Sequence, residues 1–101
     1  MTNLTWLWKE YEFIIYDPSH ACEQETGGVY IFSGQDRQGI WRALYIGETW
    51  RFSDRLPGHE KWPSAVALGA THIHLKVFYT EAMRKSVEKE LIDYYKPPLN
   101  D

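Results

Sequence analysis

Residues 28–47 read GVYIFSGQDRQGIWRALYIG, and the organisation of the chain turns on how this stretch is parsed. Val29–Ser33 is rich in β-branched and aromatic residues, and Ile40–Ile46 has the same character. The link between them, Gly34-Gln35-Asp36-Arg37-Gln38-Gly39, is polar and carries a glycine at each end. Such a pattern predicts two antiparallel strands joined by a hairpin loop. Upstream, Thr26-Gly27-Gly28 reads as a break before regular structure and Asp17-Pro18-Ser19 as an earlier turn. Further back, Trp6, Trp8, Tyr11, Phe13, Ile14, Ile15 and Tyr16 follow neither a helical nor a strand period consistently. Residues 1–26 are therefore read as an aromatic, acidic extension packed on a domain spanning 27–101, with no element assigned to 4–16.

Downstream of Gly47, proline decides the elements. Pro57-Gly58 and Pro63 interrupt an otherwise helical stretch, leaving a short helix over Ser53–Leu56 and a second over Pro63–Leu68 that Gly69 stops. Thr71–Tyr79 alternates as a third strand. Thr80 then caps a final helix over Glu81–Tyr95, ended by Pro97-Pro98. At 100° per residue this helix gathers Met83, Val87, Leu91, Tyr94 and Tyr95 on an apolar side, and Glu88 falls on its boundary. By spacing alone Glu88 reads as a solvated rim charge before it reads as a residue lining a cleft. The order β-β-α-α-β-α makes the fold class α+β, a small three-stranded antiparallel sheet flanked by helices.

Composition narrows the function classes. At 101 residues, with 44% hydrophobic and 25% charged residues, one ordinary globular core is expected. The single cysteine, Cys22, excludes an intrachain disulfide and a multi-cysteine zinc site. His72 and His74 share a strand face, but no third ligand for a transition metal accompanies them. Met1–Lys9 lacks the basic and apolar regions of a signal peptide, and no stretch reaches the roughly 20 apolar residues of a membrane span, so a cytoplasmic protein without membrane contact is expected. A net charge of −3 weighs against tight unassisted binding to a polyanion. The acidic excess sits in residues 1–25, which hold Glu10, Glu12, Asp17, Glu23 and Glu25 against Lys9; the remainder carries +1.

Within the hairpin, Tyr30 of GVY and Tyr45 of YIG fall on adjacent strands. Eight residues past Gly47 stands Arg55, and His59 follows four later. Glu88 precedes Leu91-Ile92 on the last helix, and the chain closes on Pro97-Pro98-Leu99-Asn100. Taken singly, each motif is weak, and two tyrosines alone read as a cross-strand aromatic pair. In this order and spacing, over residues 27–100, they resemble the GIY-YIG nuclease family, and small stand-alone bacterial and phage members of it in particular. Two departures are visible: Pro57-Gly58 follows Arg55 where most members continue the helix, and the basic residues common nearby are sparse.

The resemblance implies a metal-dependent endonuclease that hydrolyses phosphodiester bonds in DNA, with RNA open as a substrate. Its catalytic set would be Tyr30, Tyr45, Arg55, His59, Glu88 and Asn100. Glu88 would hold a single Mg²⁺ or Mn²⁺, hard cations that suit an oxygen ligand. Arg55 would grip the scissile phosphate through its planar fork. One of the two tyrosines would take the proton of the attacking water, and residue reading leaves open which. Gly47, Thr49, Arg51 and Lys61 are the candidate substrate contacts, with Arg51 and Lys61 equally readable as surface charges. The alternative is a non-catalytic nucleic-acid-binding or interaction module that keeps the fold. A third reading, a cleavage head targeted by a partner protein or by homodimerisation, accounts for the missing basic surface.

Overall fold

The computed structural model describes residues 3–101. Its elements are β1 (Thr5–Trp8), β2 (Tyr11–Tyr16), α1 (Pro18–Ala21), β3 (Gly28–Gln35), β4 (Trp41–Thr49), α2 (Phe52–Arg55), α3 (Trp62–Ala67), β5 (His72–Val77) and α4 (Glu81–Tyr95). The strands form one antiparallel sheet in the order β1-β2-β5-β3-β4. The expected three strands are there, but the sheet has five. The unassigned N-terminal stretch is a hairpin that pairs onto β5 with Ile14 opposite Leu75 and Tyr16 opposite Ile73. Its two-residue turn uses Lys9 at φ 54 in place of the glycine or asparagine that normally advertises such a turn.

β3 is buried on both faces because it lies between β5 and β4 with helices above and below. Tyr30 and Phe32 enter a core roofed by Ala21, Phe52, Leu56 and Ala65 from the three short helices. Val29 and Ile31 enter a second core closed by Val87 and Leu91 of α4 together with Trp8 and Phe13 of the hairpin. The two cores explain the mixed pattern of the strands: a strand covered on both sides has no polar face to alternate with.

β4 serves both cores by changing phase. Period-two alternation would put Trp41 and Tyr45 on the same face, yet Trp41 packs in the α4 core and Tyr45 against the other. The register shifts between Phe32 and Ser33, whose partners are Tyr45 and Ala43, so Leu44 is the extra residue of a β-bulge. That bulge delivers Tyr45 to the face that Tyr30 already occupies.

α4 begins at the predicted cap, where Thr80 Oγ1 accepts from Met83 N at 3.1 Å, and ends at Lys96 in the left-handed region just ahead of Pro97. Its buried stripe is rotated from the one expected. Arg84, Val87 and Leu91 are buried, while Met83 and Tyr94 are exposed. The rotation brings Glu88 to a half-buried position beside β4. Among the described residues, no helix is long and apolar enough to cross a membrane.

Candidate active site

Tyr30 sits opposite Gly47 in the β3–β4 register, and its ring lies across the space a Cβ on residue 47 would fill. Tyr45 faces Phe32, two pairs further along, with its ring centroid 6.2 Å from that of Tyr30. His59 completes the group from the loop after α2. It is 2% exposed, and its Nε2 lies 2.8 Å from the Tyr30 hydroxyl. The Lys61 backbone N–H donates to His59 Nδ1 at 3.0 Å, so the neutral ring carries its proton on Nε2 and donates it to Tyr30. Burial, helped by the Arg55 charge, lowers the His59 pKa to about 4, which keeps it neutral at pH 7.

Burial pushes both phenols upward, Tyr30 further than Tyr45. Arg55 opposes the rise at both tyrosines, and Glu88 and Glu60 add to it at both. The neighbouring Tyr30 hydroxyl eases the rise at Tyr45. His59 holds the Tyr30 oxygen, and Tyr45 stands beside that pair only half-buried.

Arg55 does not present a free fork. Its Nη1 and Nη2 donate to Glu60 at 3.0 and 2.7 Å, and this pairing pulls the Glu60 pKa down to about 2. The Pro57-Gly58 departure is what makes the pair: Gly58, at φ 68, turns the chain back after a single helical turn. On the other side of β4, burial and then the charge of Glu48 raise the Glu88 pKa. Glu48 is itself held by Arg84 Nε at 3.1 Å. A carboxylate withdrawn from water beside a second negative charge is a good ligand for a hard divalent cation, whose charge relieves both. Among the described residues no group of three or more His, Cys, Asp or Glu side chains stands ready for a metal, so a cation here would rest on Glu88, with water and phosphate supplying its other ligands.

The structure is similar to the GIY-YIG N-terminal endonuclease domain of UvrC from Thermotoga maritima bound to its catalytic magnesium, at 30% identity and a TM-score of 0.62 over 77% of this chain and 86% of that one. The chain belongs to the GIY-YIG family. Two point mutants of the same domain, each bound to its catalytic divalent cation, match at 30% identity, with TM-scores of 0.60 and 0.59. The first covers 77% of this chain and 86% of its own, the second 74% and 82%. No family model and no curated protein sequence matches.

The remaining expected residues of this GIY-YIG chain fall into two groups. Asn100 is a tie: its Oδ1 accepts from Ile46 N at 2.7 Å and its Nδ2 donates to Ile46 O at 2.8 Å, which fixes the strand between Tyr45 and Gly47. Thr49 closes the turn into α2, where its Oγ1 bonds the backbone of Arg51. Arg51 spends its guanidinium on Glu25 at 2.7 Å and on Ser53 at 3.1 Å. Lys61 meets the site through its backbone N–H and through the charge it adds near His59. Of the two strand histidines, His74 is buried, and its Nδ1 accepts from the Trp8 indole at 3.0 Å.

Glu60, Glu48 and Arg84 escaped the sequence reading. The Arg55–Glu60 spacing of five fits no helical face, and Arg84 reads as an exposed cation until Glu48 is placed beside it. Three hollows of about 440, 310 and 400 Å³ are lined by none of the candidate residues Tyr30, Tyr45, Arg55, His59, Glu88 and Asn100.

Proposed function

We propose that this GIY-YIG chain is a divalent-cation-dependent endonuclease that hydrolyses phosphodiester bonds in DNA. The observation that carries the reading is the cluster around His59. The Tyr30 and Tyr45 rings lie 6.2 Å apart, His59 bonds the Tyr30 hydroxyl, and Glu60, 3.7 Å from His59 Nδ1, holds Arg55, while α4 offers the half-buried carboxylate of Glu88. The magnesium bound to the similar UvrC endonuclease domain supports the choice of cation.

In this reading Arg55 exchanges the Glu60 carboxylate for a non-bridging pair of phosphate oxygens, a like-for-like swap of one planar anion for another. Tyr45 gives its own proton to solvent and takes one from the attacking water. The Arg55 charge and the neighbouring Tyr30 hydroxyl favour the ionised oxygen, against burial and the charges of Glu60 and Glu88. The water oxygen bonds to phosphorus as the bond to the departing 3′ oxygen breaks, and a solvent proton completes the 3′ hydroxyl. A cation on Glu88 supplies charge neutralisation for the phosphoryl group at the stage where it is most negative. Tyr30, sealed in the core and already hydrogen-bonded, is the positioning partner.

The test is a cleavage assay on duplex, flapped and single-stranded DNA with Mg²⁺ or Mn²⁺, beside calorimetric titration of the cation. Wild type cuts; Arg55→Ala and Glu88→Ala do not, and Glu88→Ala also loses the binding heat. Cleavage that persists in both variants refutes the assignment.

A further inference from the structure

β3, β4 and β5 end together: Gly28 pairs with Thr49 on one side and with Val77 on the other. Just past that end two large aromatic rings stand in solvent, Trp50 at 65% exposure and Tyr79 at 90%. Neither is left out by slack in the chain. Trp50 lies in a backbone clamped on both sides, by the pairing of Thr49 with Gly28 before it and by Phe52 N donating to Thr26 O and Ser53 N to Gln24 O after it, each at 2.8 Å. Its carbonyl abuts Gly27 so closely that a Cβ there would collide with it. Tyr79 sits between buried Phe78, whose N–H donates to Gly27 O at 3.1 Å, and Thr80, the cap of α4. Gly27 is thus the common anchor of both rings. Because β4 and β5 flank β3, the strand ends from which they extend lie roughly 10 Å apart, two strand spacings.

The position relates them to the proposed phosphate site. Trp50 follows Gly47 by three residues of extended chain, about 10 Å, and Tyr79 directly precedes the helix that carries Glu88. The Arg51 guanidinium lies over the Trp50 ring at 5.9 Å. An exposed ring with a cation against it, on a rigid backbone, is the means by which proteins hold unpaired bases. A chain of net charge −3 has little counterion release to draw on, so affinity for DNA has to come from contacts other than phosphate neutralisation.

We propose that Trp50 and Tyr79 form a stacking platform for unpaired bases next to the scissile phosphate, which makes single-stranded or branched DNA the substrate class. The proposal rests on the nuclease reading for the location of the phosphate. Paired bases in a blunt duplex present only edges and backbone to such a platform; bases at a flap or junction present their faces.

The experiment measures binding by fluorescence anisotropy in EDTA, where nothing is cut, with labelled single-stranded, flapped and blunt duplex DNA. Wild type binds the first two more tightly than blunt duplex. Trp50→Ala and Tyr79→Ala each weaken binding of single-stranded and flapped DNA by roughly 5- to 100-fold and leave blunt duplex unchanged, whereas Trp50→Phe, which keeps a ring, stays within a few-fold of wild type. Thermal melts establish that each variant is folded. Alanine variants that bind flapped DNA as wild type does, or lose equally on blunt duplex, overturn the platform; if wild type still cuts with Mg²⁺, the nuclease reading survives that result. Wild type that shows the binding pattern but never cuts supports the platform and refutes cleavage, and wild type that binds no probe overturns both.

Discussion

Replacing Asn100 with alanine separates a residue that touches substrate from one that holds the site together. Its amide makes two hydrogen bonds, one in each direction, to the single residue Ile46, which lies between Tyr45 and Gly47 on the outermost strand of the sheet. A hydrogen bond of this kind contributes about 1 kcal/mol net, so the loss of both destabilises the fold by about 2 kcal/mol. Water reaches an edge strand and compensates part of this, which makes that figure an upper bound. For a domain of this size it corresponds to a fall in melting temperature of at most roughly 8–16 °C. Asn100→Asp keeps an acceptor for the Ile46 N–H but loses the donor to its carbonyl, and is expected between wild type and Asn100→Ala. Urea titration measures the stability, and cleavage well below the midpoint measures activity. Turnover should fall by up to about a hundredfold, because Tyr45 shifts when its strand is released. If Asn100→Ala keeps wild-type stability and loses all activity, the side chain acts on substrate and the tie to Ile46 is incidental; if it keeps both, the reasoning fails altogether.

Glu60→Gln frees the Arg55 fork, and because the ion pair it removes is solvent-exposed, DNA affinity is expected to rise by roughly two- to fivefold at low salt, with the gain vanishing at high salt; anisotropy titrations at several salt concentrations decide it, and unchanged or weaker binding counts against the swap. Gly47→Ala drives a methyl group into the Tyr30 phenol, so it should abolish cleavage, break the Tyr30–His59 bond and cost about 1–3 kcal/mol in urea titration, whereas a fully active variant would mean the ring is free to move. Stability should also fall as pH drops from about 6.5 towards 4.5. His59 and His74, at about 4 and about 3 in the folded chain, are neutral there while the same groups in the unfolded chain take up protons, so the unfolded state gains at most about 2.7 kcal/mol per pH unit from the pair. Glu88 and His20, whose pKa values are raised, work in the opposite sense and reduce the slope. A flat urea midpoint across that window contradicts the buried neutral histidines.

Sequence alone conveyed those parts whose causes are local. The β3–β4 hairpin announces itself by a polar loop between two apolar runs, and α4 by its Thr80 cap and the prolines behind it. The β1–β2 hairpin stayed hidden because its turn rests on Lys9 in a conformation that lysine rarely adopts, and because β2 carries apolar residues on its half-exposed face too, so that the sequence shows no alternation. The rotation of α4 was invisible for a related reason: a buried Arg84 makes sense only with Glu48 beside it, and Glu48 comes from another strand. At the site, the motif order singled out Tyr30, Tyr45, Arg55, His59 and Glu88 as candidates, but residue identity carries no information about partners. It gave no hint that Glu60 occupies Arg55, that His59 donates to Tyr30, or that the amide of Asn100 is spent on the backbone.

The extra residue at Leu44 makes chain length in β4 a matter of handedness for its side chains. Remove one residue between Trp41 and Tyr45, and either the indole or the phenol must trade sides, emptying a place in one layer and crowding the other. The exposed tip at Arg37–Gln38, by contrast, can be lengthened or cut open without changing which way the strand residues point, provided Asp36, whose carboxylate closes the loop, is kept. An engineer who wanted to graft a targeting module onto this scaffold would do so at that tip, and leave the five residues after Ile40 at their present count.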